Sequence, residues 1–117
     1  DDLLLFSYKI SKRRDEDISI ISACFSFKEI DGKLSDVRLV YGGMSEIPRR
    51  ARSAEDILNG KVFDDSILKL AQLALDNDFN PITDCRASST YRMQVAKNLI
   101  RKCQVEHNMS KTMKDSA

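Results

Sequence analysis

The chain has little of what acid–base, metal or disulfide chemistry is built from. It carries one histidine, His107, and three cysteines, Cys24, Cys85 and Cys103. Three widely spaced cysteines give neither a disulfide framework nor a pair at metal-ligand spacing, so they read as reduced thiols of the cytoplasm. A histidine-based nucleophilic triad is not expected, because His107 falls where the last helix should end and reads as solvated. No charge of one sign dominates: 19 Lys and Arg face 18 Asp and Glu, which gives no general attraction to nucleic acid or anionic lipid. No apolar run approaches the roughly 18 to 20 residues that span a bilayer, and no stretch has the order of a signal peptide. Glycine is scarce, and the pair Gly42-Gly43 lacks the spacing and the following helix of a phosphate loop. These absences lead us to expect a soluble cytoplasmic protein with no membrane or nucleic-acid partner and no catalytic or metal residues of its own.

What is present suits one folded domain. The 117 residues are 42% hydrophobic and about a third charged, enough for a single core. The chain opens Asp-Asp rather than Met and enters LLLFSYKI at once, as if cut from something longer; the run is strand-like by composition, though a run this short does not by itself differ from a buried helical segment. From Ile18 to Ile30 it is again β-prone, and Asp31-Gly32 separates that run from KLSDVRLVYGG. An Asp-Gly pair between two such runs marks a hairpin, since the tightest turns need positive φ. A strict two-residue turn pairs Phe25 with Arg38. One extra residue at a glycine bulge instead sets Phe25 and Phe27 beside Val37 and Leu39, which gathers the apolar side chains and is preferred. EIPRRARS reads as a further short edge strand with Pro48 at its start.

Helices follow the strands. Ser53 and Asp56 make a capping-box-like start for a short helix ending near Gly60. After Asp64-Asp65 the apolar positions Ile67, Leu70, Ala71, Ala74 and Leu75 fall on one helical stripe, with Asp76, Asp78 and Asp84 in the loops beyond. A third helix is expected from about Ser88 to Val105, burying Val95, Ala96, Leu99, Ile100 and Cys103. Strands first and helices afterwards argue for an α+β domain over residues 1–106: an antiparallel sheet of three or more strands with three helices on one face. Residues 107–117 read as a frayed tail.

Two charged stretches stand out. Arg49, Arg50 and Arg52 would divide between the two faces of a strand, with no aromatic platform among them, so a protected sheet edge outweighs a nucleic-acid surface. The second is Lys12-Arg13-Arg14-Asp15-Glu16-Asp17, three bases followed at once by three acids. Taken alone it reads as a solvated loop of self-neutralising charge. Lys9 differs, because it sits inside the apolar segment between Tyr8 and Ile10. From a strand it could present a fixed cation to an anionic or electron-rich ligand.

YKISKRRDEDIS, DGKLSDVRLVYGGM and TDCRASSTYRMQVAKNLIRKC, in that order, resemble the C-terminal part of the flavin-binding portion of xanthine dehydrogenase. They are similar, more loosely, to the carbon monoxide dehydrogenase flavoprotein. The resemblance covers roughly Leu3 to Cys103. It implies an α+β domain that packs against an upstream FAD-binding lobe and helps close the flavin site. It also implies an enzyme that oxidises purines at a molybdenum cofactor and passes electrons through two 2Fe-2S clusters to FAD and then to NAD. The implied partners are that lobe, an iron–sulfur domain and a molybdenum-cofactor subunit. Lys9 matches the family lysine at the FAD, Glu16 an acidic loop position near it, and Arg13 the same loop. Tyr91 is taken as packing and Arg92 as a surface or interdomain contact. The family's glycine-rich pyrophosphate segment and its cluster cysteines are absent, so this piece alone should be non-catalytic and should self-associate. The reading from another class is a free-standing α+β module that binds protein or nucleic acid through its exposed strands or Arg49 to Arg52.

Overall fold

The computed structural model describes residues 3–14, 17–79 and 89–116, excepting the side chains of 12–14, 17–19 and 112–116. Four strands come first: β1 (Leu4–Arg14), β2 (Asp17–Ile30), β3 (Lys33–Gly42) and β4 (Arg49–Arg50). Three helices follow: α1 (Arg52–Leu58), α2 (Asp65–Asp78) and α3 (Ser89–Ser116). The sheet is antiparallel with its strands in chain order, β1-β2-β3-β4. The α+β architecture follows as the sequence implies, and the bases Lys12 to Arg14 and Asp17 belong to strands rather than to a loop.

Alternation decides which face is covered. Leu4, Phe6, Tyr8 and Ile10 of β1 face the helices together with Ile21, Ala23, Phe25 and Phe27 of β2 and Leu34, Val37, Leu39 and Tyr41 of β3. Phe25 and Tyr41 meet edge to face at 5.3 Å, and Tyr41 meets Phe79 at 5.5 Å. The Tyr41 hydroxyl donates to the Ala96 carbonyl at 2.7 Å, which ties the sheet to α3.

The hairpin arrives at the expected apolar pairing by another device. Asp31 and Gly32 both have positive φ, 55° and 80°, and the turn is a strict two-residue one with Ile30 opposite Lys33. The extra residue lies inside β3, where Asp36 and Val37 together oppose Phe27 and Asp36 takes φ 53°. Beyond that bulge Phe25 faces Leu39 and Ser26 faces Arg38.

Helix starts and ends also differ from expectation. Ser53 does not cap α1: its residue before the first turn is Ala51, and the two leading amides, Ser53 N–H and Ala54 N–H, donate to the carboxylate of Asp78 at 2.8 and 3.0 Å. Asp78, placed in a loop by sequence, is the last residue of α2; Asp76 also lies in α2, and Asp84 lies outside the described residues. Asp64 does cap α2, accepting from Ile67 N–H at 2.9 Å. That stripe buries Leu68, Ala71, Ala74 and Leu75, while Leu70 is exposed. The third helix does not stop at Val105 but continues through 107–116, where a frayed tail was expected.

Candidate functional site: the open sheet face

With all three helices on one side, the other face of the sheet is bare. On β1 it carries Leu5, Ser7, Lys9 and Ser11, on β2 Ser22, Cys24 and Ser26, and on β3 Arg38, Val40 and Gly42. Most of these side chains are small, so the surface is low and open. Lys9 is exposed, and among the described residues its ammonium makes neither an ion pair nor a hydrogen bond. Strand alternation puts it there: its neighbours Tyr8 and Ile10 point into the core and turn Lys9 outward.

Tyr8 holds that strand from the helix side. Its hydroxyl donates to Glu106 at 2.5 Å, its ring lies 6.0 Å from that of Phe25, and the Lys102 ammonium stands 5.2 Å from its ring centre. Burial, and then the Glu106 hydrogen bond, push the Tyr8 hydroxyl far above its ordinary range, so it stays a donor. Burial likewise pushes the Cys103 thiol up to about 12, with Glu106 adding to it.

The other expected residues fare differently. Arg13 lies in β1 with its backbone opposite Ile18, and Glu16 lies outside the described residues. His107 is buried rather than solvated. It sits edge-on to Phe27 and Phe6, with Nε2 3.3 Å from Glu29, which Lys111 also reaches at 3.0 Å. The arginine cluster is divided: Arg50 makes a two-pronged pair with the buried Glu55, at 3.0 and 2.7 Å, and Arg49 stands over Phe79. Arg92 turns inward to donate to the Gly43 carbonyl at 2.7 Å, so its contact lies within the chain.

Two clefts, of about 360 and 450 Å³, lie elsewhere. Asp76, Phe79, Met93 and Lys97 help line the first, and Leu4, Phe6, Glu29, His107 and Lys111 the second. Neither includes Lys9. Among the described residues no cluster of three metal-binding side chains occurs, and no helix is long and apolar enough to cross a membrane. The arrangement offers a fixed cation and several hydroxyls on a flat wall.

Fold and site thus define an α+β domain with one bare, donor-bearing sheet face. Residues 6–106 match the CO dehydrogenase flavoprotein C-terminal domain, and the chain belongs to that family. The family is the FAD subunit of molybdenum hydroxylases, whose complete enzymes carry FAD, molybdopterin and 2Fe-2S clusters. Among curated relatives, the glyceraldehyde dehydrogenase medium chain of Sulfolobus acidocaldarius is 34% identical over 95 residues, covering 81% of this chain and 34% of its own. A xanthine dehydrogenase of Emericella nidulans is 41% identical over 78 residues, 65% of this chain and 6% of that protein. Of solved structures, quinoline 2-oxidoreductase from Pseudomonas putida 86 superposes with TM-score 0.74 at 22% identity, over 91% of this chain and 37% of that one. The chain therefore spans about a third of the medium chain and a small fraction of the longer enzyme.

Proposed function

We propose that this chain is the C-terminal part of the FAD subunit of a xanthine dehydrogenase-like enzyme. It lends one wall to the flavin site. The observation that carries the reading is Lys9: a cation held by alternation on the bare face, its ammonium without a partner among the described residues; the resemblance matches it to the family's flavin lysine. The donor set fits the group. An ammonium and the hydroxyls of Ser7, Ser11 and Ser22 on a low surface suit the carbonyl edge of a planar ring. FAD, when bound, accepts two electrons and gathers negative charge along its N1 and C2 carbonyl edge. Lys9 would stabilise that charge, and the resemblance adds Glu16 and Arg13 as charges of both signs near the flavin.

In this reading the upstream FAD-binding lobe docks on the open face and contributes most of the flavin contacts. An iron–sulfur domain and a molybdenum-cofactor subunit complete an enzyme of the cytoplasm, and electrons from purine oxidation leave to NAD. The 41% identity to a xanthine dehydrogenase favours that substrate class. Xanthine-dependent reduction of NAD by the complete enzyme tests it, and a preference for another heterocycle or aldehyde would replace it. For the site, Lys9→Met in the complete flavoprotein should lower FAD retention and make the midpoint potential more negative. If both stay at their starting values, Lys9 is not at the flavin.

A further inference from the structure

The bare face holds one more polar group at the level of Lys9. The register sets Lys9 of β1 opposite Ser22 of β2, and Ser22 opposite Gly42 of β3, so the three form a row across the sheet. Side chains opposite one another on a shared face have Cβ atoms roughly 4.5 to 5.5 Å apart. Ser22 is half-buried, and its hydroxyl makes no hydrogen bond among the described residues.

Gly42 explains how that hydroxyl is housed. A Cβ built on Gly42 would stand 2.5 Å from Ser22 Oγ and 3.9 Å from Ser22 Cβ, with nothing else among the described residues within 4 Å apart from its chain neighbours. The backbone itself does not demand glycine there, since Gly42 is outside the left-handed region. Gly43, in contrast, has φ +87° and packs against the Ile20 carbonyl. The missing side chain at Gly42 serves the hydroxyl of its neighbour.

We infer that Ser22 is a second flavin-binding residue. Its hydroxyl, lodged over Gly42, donates to the same ring-carbonyl edge that Lys9 addresses. The inference rests on the assignment of Lys9 to the flavin and adds to it a neutral, directional donor. The hydroxyl aims its one proton at one acceptor, so Ser22 supplies direction where the ammonium supplies charge.

The test uses the complete FAD-loaded flavoprotein with Ser22→Ala, Gly42→Ala, both together, and Lys9→Met. It reads the FAD dissociation constant and the ¹³C resonance of FAD labelled at the C2 carbonyl. Ser22→Ala should weaken FAD about three- to tenfold, the worth of one net hydrogen bond, and move the C2 resonance. Gly42→Ala should do the same by displacing the hydroxyl, and should add nothing once Ser22 is alanine and the crowding is gone. Equal thermal midpoints keep loss of binding apart from loss of fold. If Lys9→Met alters both readings while Ser22→Ala alters neither, Ser22 is overturned and Lys9 stands. A response to Ser22→Ala without one to Lys9→Met keeps Ser22 and removes Lys9. Silence in all four variants removes both, and additive losses in the double variant overturn the role given to Gly42.

Discussion

Tyr8 and Lys9 are consecutive residues with opposite tasks, and the pleat of one strand separates them. The Tyr8 ring and hydroxyl bind β1 to α3, while the Lys9 ammonium faces the open side. The sequence marked Lys9 only as a cation inside an apolar segment; the division itself comes from the strand, in which Leu4, Phe6, Tyr8 and Ile10 form the row facing the helices and Lys9 falls in the other. Glu55 was not legible. The sequence marks only a short capped helix here, yet the side chain is 3% exposed and accepts from Leu39 N–H at 2.9 Å as well as from Arg50. Glu55→Ala would leave that strand amide buried without an acceptor, and the fold should lose roughly 2 kcal/mol, read from urea unfolding. Arg50→Ala should cost less, since Glu55 keeps the amide.

Among the elements, the last turns of α3 are fastened to the sheet by one carboxylate. Burial alone would raise the Glu29 carboxyl, but its hydrogen bonds to Lys111 and His107 outweigh that and hold it below its ordinary 4.5. A depressed carboxyl contributes stability that is fully present above its unfolded value and is lost as the pH falls through the folded one. Hydrogen-exchange protection in the C-terminal half of α3, taken relative to the intrinsic rate at each pH, should therefore fall on acidification below 4.5. Glu29→Gln should make that exchange faster at neutral pH and remove this part of its acid dependence. None of this was readable in sequence: His107 and Lys111 lie in a charged stretch, and their partner is about eighty residues away. The Asp78 cap on α1 escaped for the same reason, since a local Ser53 box satisfied the pattern. The Asp31-Gly32 turn was legible because two positive φ angles demand those residue types. The bulge at Asp36 was not, being imposed by the need to seat Phe27 and Val37 in one core.

For the molecule as a whole, all three helices lie on one side, and the row Leu4, Phe6, Tyr8 and Ile10 along the outer strand is only partly covered. Leu3, Leu5, Ile20 and Ile30 add apolar surface on or beside the bare face. The isolated chain should thus associate with itself, and light scattering should give a mass that climbs with concentration. A constant monomeric mass would mean that this surface needs no cover. The strand order carries another consequence. Because each strand pairs with the one just before it, the β-meander closes only short loops and can zip as the polypeptide leaves the ribosome, well before α3 has been synthesised. The nascent sheet then keeps the part of its apolar side that α3 covers, on β1 and β2, open until that last helix emerges.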